Sequence, residues 1–327
     1  MITHLAGARS APAGDYDADV IILALDRAQA TRMAIDSALA QTGVRRHVFV
    51  LDQGSSPDAI AALTSAVQGR PDATLLGAGR NLGVPGGRNV LSDLGHGRVI
   101  AALDNDALFP AADTLARMVR ALDQDPSRAA IGCRILAQAT GTDDLSSWGY
   151  PRALLPCAGS AFDAVTFVGA GHAIRRTAWD QVGGYDPALF FCWEEFDFSL
   201  RAIALGWRIA YCGDIAIHHM VEPERRVTWS GDRWFHFVRN RLYIARKSGA
   251  GPATLTTHLL GYLVKGARNG LLGTTMQAAR AAWRMPLLRR PIPLTPAARA
   301  YLHCHDTAWR GSPWQRIRAE VLVRLGS

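Results

Sequence analysis

Short apolar runs near the start of the chain alternate with stretches of helical spacing. Val20-Ile21-Ile22-Leu23-Ala24-Leu25 is continuous rather than alternating, which predicts a strand buried on both faces. Ala28 to Ala40 follows with Met33, Ile35, Ala38 and Leu39 at helical spacing. A second strand, His47 to Leu51, runs into the turn-rich Asp52-Gln53-Gly54-Ser55-Ser56. A helix from Pro57 to about Val67, a short strand at Thr74 to Leu76 and a strand at Val99 to Leu103 continue the pattern. Alternating strands and helices predict an α/β fold built as a doubly wound sheet. Further on, Phe196, Leu200, Ile203 and Trp207 give a helix starting at Glu194 its buried face. Ile215 to His219 reads as a strand and Trp234 to Lys247 as a helix. Leu255 to Arg290 reads as amphipathic helices with a cationic face. Residues 1 to about 17 read as a loose leader without the apolar run of a signal peptide.

In doubly wound sheets ligands gather beyond the C-terminal ends of the strands, and Asp26, Asp52 and Asp104 all fall at such ends. Asp104 and Asp106, two residues apart, can converge on a hard divalent cation. The segment Asn81-Leu82-Gly83-Val84-Pro85-Gly86-Gly87-Arg88-Asn89 is Gly-rich, so its backbone could approach a ligand closely, although a plain loop and helix start would read the same way. Glu194 and Glu195 open a helix, where the dipole favours anions, and an ionised carboxylate beside a hydroxyl can act as a general base. The structural alternatives are a helix cap for Asp52, a core aromatic for Trp193 and a helix-start preference for the two glutamates. On a strand, His219 shares a face with Ile215 and Ile217, while His218 lies with Ala216 on the other.

Several segments, in order, resemble the inverting glycosyltransferase family 2. They are Val20 to Arg27, where Ala24, Leu25 and Asp26 depart from the family's usual residues; Val50-Leu51-Asp52-Gln53-Gly54-Ser55-Ser56; Asn81 to Asn89; and the D-x-D element Asp104-Asn105-Asp106. The strongest match joins Val168 to Arg176, Val182-Gly183-Gly184-Tyr185-Asp186, Trp193-Glu194-Glu195-Phe196-Asp197-Phe198-Ser199-Leu200-Arg201 and Gly206-Trp207-Arg208. The resemblance spans residues 19 to about 246 and is greatest to rhamnosyltransferase-like members.

The resemblance implies a GT-A fold, a Rossmann-like mixed sheet flanked by helices, with a C-terminal helical extension. The expected division is a catalytic domain over 18–230, its nucleotide-binding half reaching about 110 and its acceptor half following, and a basic helical extension over 231–327. Asp26, Asp52, Asn81, Gly83, Gly87, Arg88, Asp104 and Asn105 are expected at the nucleotide-sugar, with Asp52 at a uracil or thymine edge and Asp104 at the ribose or the metal. Asp106 is the expected direct ligand of Mn²⁺ or Mg²⁺, joined by Asp104 and by His219, with His218 as the alternative. Glu195 is the expected base, with Glu194 as runner-up. Trp193 and Asp197 are expected on the acceptor side. The implied activity is transfer of a sugar from a UDP- or dTDP-sugar to a glycan or lipid-linked acceptor in polysaccharide or glycolipid biosynthesis. The rivals are a catalytically degenerate relative and a nucleotidyltransferase, though the latter would carry a Gly-rich loop where Ala24-Leu25-Asp26-Arg27 stands.

Composition sharpens the partner. Up to Asp232 the chain carries 20 basic against 26 acidic residues, and beyond it 16 against two. A basic tail behind an acidic body calls for an anionic partner. Aromatic and Leu residues beside Arg suit a membrane surface, whereas no nucleic-acid reader motif is present. Five scattered cysteines without a C-x-x-C pair suit a reducing cytoplasm, the expected location.

Overall fold

The computed structural model describes residues 1–220, 231–287, 294–322 and 325. The first half alternates strands and helices: β1 (Thr3–Gly7), β2 (Ala18–Ala24), α1 (Ala28–Leu39), β3 (Arg46–Asp52), α2 (Pro57–Val67), β4 (Ala73–Gly77), α3 (Gly83–Leu94) and β5 (Val99–Leu103). The second half adds β6 (Ala107–Leu108), α4 (Thr114–Asp123), β7 (Arg128–Ala137), β8 (Ala161–Ala164), β9 (Gly171–Arg175), α5 (Arg176–Val182), α6 (Glu194–Ala204) and β10 (Arg208–His219). The longer helices of the C-terminal region are α7 (Gly231–Lys247), α8 (Pro252–Arg268), α9 (Leu272–Arg284) and α10 (Pro296–His305).

The strands form one mixed sheet in the order β1-β4-β3-β2-β5-β9-β7-β10-β6, with β8 added on β10. The pairs β4-β3, β3-β2, β2-β5 and β7-β10 are parallel, and β9 runs antiparallel between β5 and β7. The continuous apolar runs are explained by burial on both faces. Val20, Ile22, Val48 and Val50 face a core that includes Ile35, Leu63 and Leu115, whereas Ile21, Phe49 and Leu51 face one that includes Leu91, Trp179 and Phe198. The pairings bring the C-terminal ends of β2, β3, β5, β7 and β10 and the start of β9 to one edge of the sheet.

One expectation changes. The first residues are not a loose leader: Thr3–Gly7 pairs antiparallel with β4 and closes that edge of the sheet. The helix expected over Trp234 to Lys247 is α7, and it packs on the sheet domain. Its Trp234, Val238, Leu242 and Tyr243 are fully buried in a third core with Leu189 and Leu200. α10 also lies on the sheet domain, its Tyr301 hydroxyl donating to Ile209 O (3.0 Å). The expected boundary at residue 230 lies outside the described residues. Among the described residues no helix is long and apolar enough to cross a membrane.

Candidate functional site

At the end of β2 the chain turns through two left-handed residues, Asp26 (φ 52°) and Arg27 (φ 49°). Non-glycine residues adopt that conformation at a cost and are found where the surroundings impose it. Here Asp26 Oδ1 accepts from Ser56 N (3.0 Å) and its own N donates to Ser55 Oγ (2.7 Å), tying the β2 turn to the β3 turn. Asp52 is buried, and its carboxylate accepts from Gly54 N (3.1 Å) and Ser55 N (3.2 Å). Its shown hydrogen bonds therefore hold its own turn.

The Gly-rich segment begins with Asn81, which caps the turn by accepting from Gly83 N (2.8 Å). Gly83 and Gly87 make room for protein where a ligand was expected. Gly83 has φ 75°, and a Cβ there would lie 2.2 Å from Phe190 O. A Cβ on Gly87 would lie 2.8 Å from Leu23 Cδ2 and 3.0 Å from Gln53 Oε1, so that glycine lets α3 settle on the sheet. Asn89 reaches in the other direction, accepting from Tyr185 N (3.0 Å) and donating to Tyr185 O (2.9 Å).

The D-x-D carboxylates face different partners. Asp106 Oδ1 lies 3.4 Å from His219 Nε2, and Asp144 accepts from Nδ1 of the same ring at 2.8 Å. Arg27 pairs with the other oxygen of Asp106. Burial works against a charged His219, but the Asp106 and Asp144 carboxylates outweigh it and lift the ring to about 10. Burial likewise opposes ionisation of Asp106, yet His219 and Arg27 hold it below the usual carboxylate range. A carboxylate beside an imidazole whose far nitrogen is fixed by a second carboxylate is a donor set that suits a divalent cation. Among the described residues no group of three His, Cys, Asp or Glu side chains stands ready for a metal. Two protein donors with ligand and water oxygens completing the shell is the usual arrangement for Mg²⁺ at phosphates. Among the described residues Asp106 pairs with His219, and no hydrogen bond or ion pair joins it to His218.

Asp104 bonds Arg88 instead of joining that pair: Arg88 Nη2 donates to Asp104 Oδ1 (2.8 Å) and to Gly169 O (2.9 Å). Arg88 Nη1 donates to Glu195 Oε1 (2.9 Å). The guanidinium is buried, and although burial opposes its charge, the Asp104 and Glu195 carboxylates keep it protonated. Glu195 is pushed up by burial and restrained by Arg88. Among the described residues Glu194 has no such bridge. Burial and the neighbouring Glu195 charge push it up to about 8, and its Oε2 has no hydrogen-bond partner among the described residues. Asn105 donates to Thr31 Oγ1 (3.3 Å) and so links the end of β5 to α1.

The two residues expected on the acceptor side are engaged by the protein. Trp193 packs between Phe196 and Phe237 and donates from Nε1 to Phe237 O (3.0 Å). Asp197 is 2 % exposed and bridges Arg201 (2.9 Å) and Lys247 (2.9 Å), behind the helix start. Pattern reading missed Arg27, Asp144 and Gly169. Arg27 closed the first segment of the resemblance but was given no role, and Asp144 sat in an irregular stretch. Gly169 lay in a quoted segment without a role, yet a Cβ there would stand 2.6 Å from Glu195 Oε1.

Residues 19–182, half of the chain, match the family described as glycosyl transferase family 2. Over 122 residues the chain is 38% identical to the succinoglycan biosynthesis protein ExoO of Rhizobium meliloti (strain 1021). That match covers 37% of this chain and 34% of the relative, so it spans about a third of either. Among solved structures, the mannosyltransferase PcManGT from Pyrobaculum calidifontis, in complex with GDP-Man and Mn²⁺, aligns over 96% of this chain and 88% of its own with a TM-score of 0.59 and 21% identity. GalNAc-T7, with UDP, GalNAc and Mn²⁺, aligns over 81% of this chain and 54% of its own with a TM-score of 0.54 and 14% identity. At such identities the likeness is one of fold.

Proposed function

The chain belongs to glycosyl transferase family 2, and from that premise we propose that it moves a sugar from a nucleoside-diphosphate donor, a UDP- or dTDP-sugar, to a hydroxyl of a glycan or lipid-linked acceptor with inversion at the anomeric carbon. The observation that carries the reading is the ionic chain Asp104–Arg88–Glu195, which ties a carboxylate at the end of β5 to the candidate base at the start of α6. The location proposed is the cytoplasm, which suits five unpaired cysteines.

Asp26, Asn81, Asp104 and Asn105 present polar groups at the sheet edge where the donor would lie. Asp52, Gly83 and Gly87 act one layer back by shaping the turns that carry them. Asp106 and His219 would hold Mn²⁺ or Mg²⁺, which when bound supplies positive charge to the departing diphosphate. Glu195 takes the acceptor's hydroxyl proton while that oxygen attacks the anomeric carbon. The bond to the nucleoside diphosphate breaks in the same displacement. Arg88 sets the direction of the Glu195 carboxylate, and Glu194 beside it helps orient the acceptor. The reacting sugar would pass through an oxocarbenium-like transition state.

The test is thermal stabilisation by UDP-, dTDP- and GDP-sugars, with and without Mn²⁺, on the wild type and Asp106→Ala. A ligand at about 100 times its Kd adds roughly 2.7 kcal/mol. Metal-dependent stabilisation by one nucleotide class, lost in Asp106→Ala, is the expected result. Absence of stabilisation by every donor class would sink the proposal.

A further inference from the structure

Helix α9 is built inside out. The residues it turns toward α7 are small: Thr275, Ala278 and Ala282 are fully buried, and Trp234 Nε1 donates to Thr275 Oγ1 (2.8 Å). Its large apolar residues face outward, with Leu272, Met276 and Trp283 exposed at 43%, 60% and 55%. Their spacing of four and seven residues places all three on one stripe. A surface helix of a globular protein carries its large apolar residues on the covered side, and contiguous exposed apolar patches mark interaction sites.

The charge beside this stripe is of one sign. Arg280 and Arg284 flank it and line an open groove with Met285 and Pro286, and Arg268 ends the neighbouring α8. From residue 251 to 287 the sequence contains no Asp or Glu at all. Helix α8, packed against α9, adds the exposed Leu260 and Val264. Tryptophan among apolar residues with arginine at the margin fits the boundary between lipid headgroups and acyl chains. The arginines select an anionic surface. A second copy is the poorer occupant, because a two-fold contact through this face would set arginine against arginine with no acid on either helix to answer it.

We propose that the outer face of α9, supported by α8, seats this protein on an anionic membrane surface. The inference stands apart from the catalytic reading, since the face contains none of the residues assigned to the site. In cosedimentation the protein should bind vesicles in which about a third of the phosphatidylcholine is replaced by phosphatidylglycerol, should ignore pure phosphatidylcholine, and should be released by high salt. Trp283→Glu and Met276→Glu lie at exposed positions and should leave the thermal transition unchanged while weakening partition by about tenfold or more. Arg280→Glu with Arg284→Glu should abolish the preference for phosphatidylglycerol. Wild-type protein that stays in the supernatant, or binding that survives Trp283→Glu and Met276→Glu, would overturn the proposal. A dimer in solution that Trp283→Glu splits would assign the face to a second copy instead. No readout requires turnover, so failure here leaves the transferase proposal standing, and failure of the donor panel leaves this one.

Discussion

Glu194 and Glu195 are neighbours with different surroundings, and the difference sets what each can do. Glu195 shares Arg88 with Asp104, whereas Glu194 is buried at the helix start without a cation bridge among the described residues. The pair therefore loses its protons in two steps, the upper near 8. A base acts only when ionised, and Arg88 restrains Glu195 while Glu194 keeps its proton up to about 8, so transfer should rise with pH before Glu194 ionises, and a rate that climbs only through about 8 would move the base to Glu194. Glu195→Gln should lower turnover by about 10²–10⁴-fold while donor-induced stabilisation persists. Loss of donor binding instead would make Glu195 part of the donor site. Gly169→Ala forces a methyl against Glu195 Oε1, so it should impair turnover with little effect on nucleotide affinity, checked by kinetics beside thermal shift. Asp106, Glu195 and His219 were legible as carboxylates and an imidazole at strand or helix ends. Arg27 and Asp144 were not, because their roles come only from the folded juxtaposition with Asp106 and His219.

The loop entering α6 shows how an element carries strain on behalf of a site. Phe190, Cys192 and Trp193 all have positive φ (61°, 69° and 73°) immediately before the two glutamates. Such backbone persists only when its surroundings dictate it. The surroundings are Gly83, whose neighbour Val84 donates its N–H to Phe190 O (2.8 Å), and Asn240 on α7. The buried Asn240 amide donates to Leu189 O (2.9 Å), Phe191 O (2.7 Å) and Cys192 O (2.9 Å). Asn240→Ala would take the side-chain donor from Phe191 O and Cys192 O, while Leu189 O keeps Arg239 Nη2 (2.7 Å), and would release the loop. The expected cost is about 2–3 kcal/mol of stability, with turnover reduced more than donor binding. Urea unfolding together with steady-state kinetics separates the two, and a variant with wild-type stability and rate would show that the loop holds itself. The spacing of apolar residues revealed α7 as a helix. It could not reveal that one amide on it organises a loop 48 to 51 residues earlier, because such contacts leave no periodicity.

At the scale of the whole molecule, the sheet that was legible from its apolar runs also buries ionisable groups, and these set how stability follows pH. His47 is fully buried on β3, where burial lowers it to about 4 from an ordinary 6.5. His172, held by Tyr185 Oη (3.0 Å) and Val168 O (3.1 Å), is also lowered by burial and by the Arg88 charge. Each is neutral in the fold and protonates more readily in the unfolded chain, so its contribution is complete above 6.5 and is lost as pH falls toward the folded value. His47 alone should remove on the order of 3 kcal/mol between pH 6.5 and about 4. Glu194 has the opposite sign: its folded value is raised to about 8, so its stabilising share is present below 4.5 and lost as pH rises through 8. The histidine loss is therefore partly offset on the acid side, and the comparison must be made within a pair of proteins. Urea midpoints followed downward from pH 6.5 should fall for the wild type and fall less steeply for His47→Gln, because glutamine cannot acquire the charge that the sheet interior rejects. Parallel curves for the two proteins would mean that His47 takes up its proton without opening the sheet, and the acid sensitivity would then have to originate in His172 and the carboxylate network around Arg88.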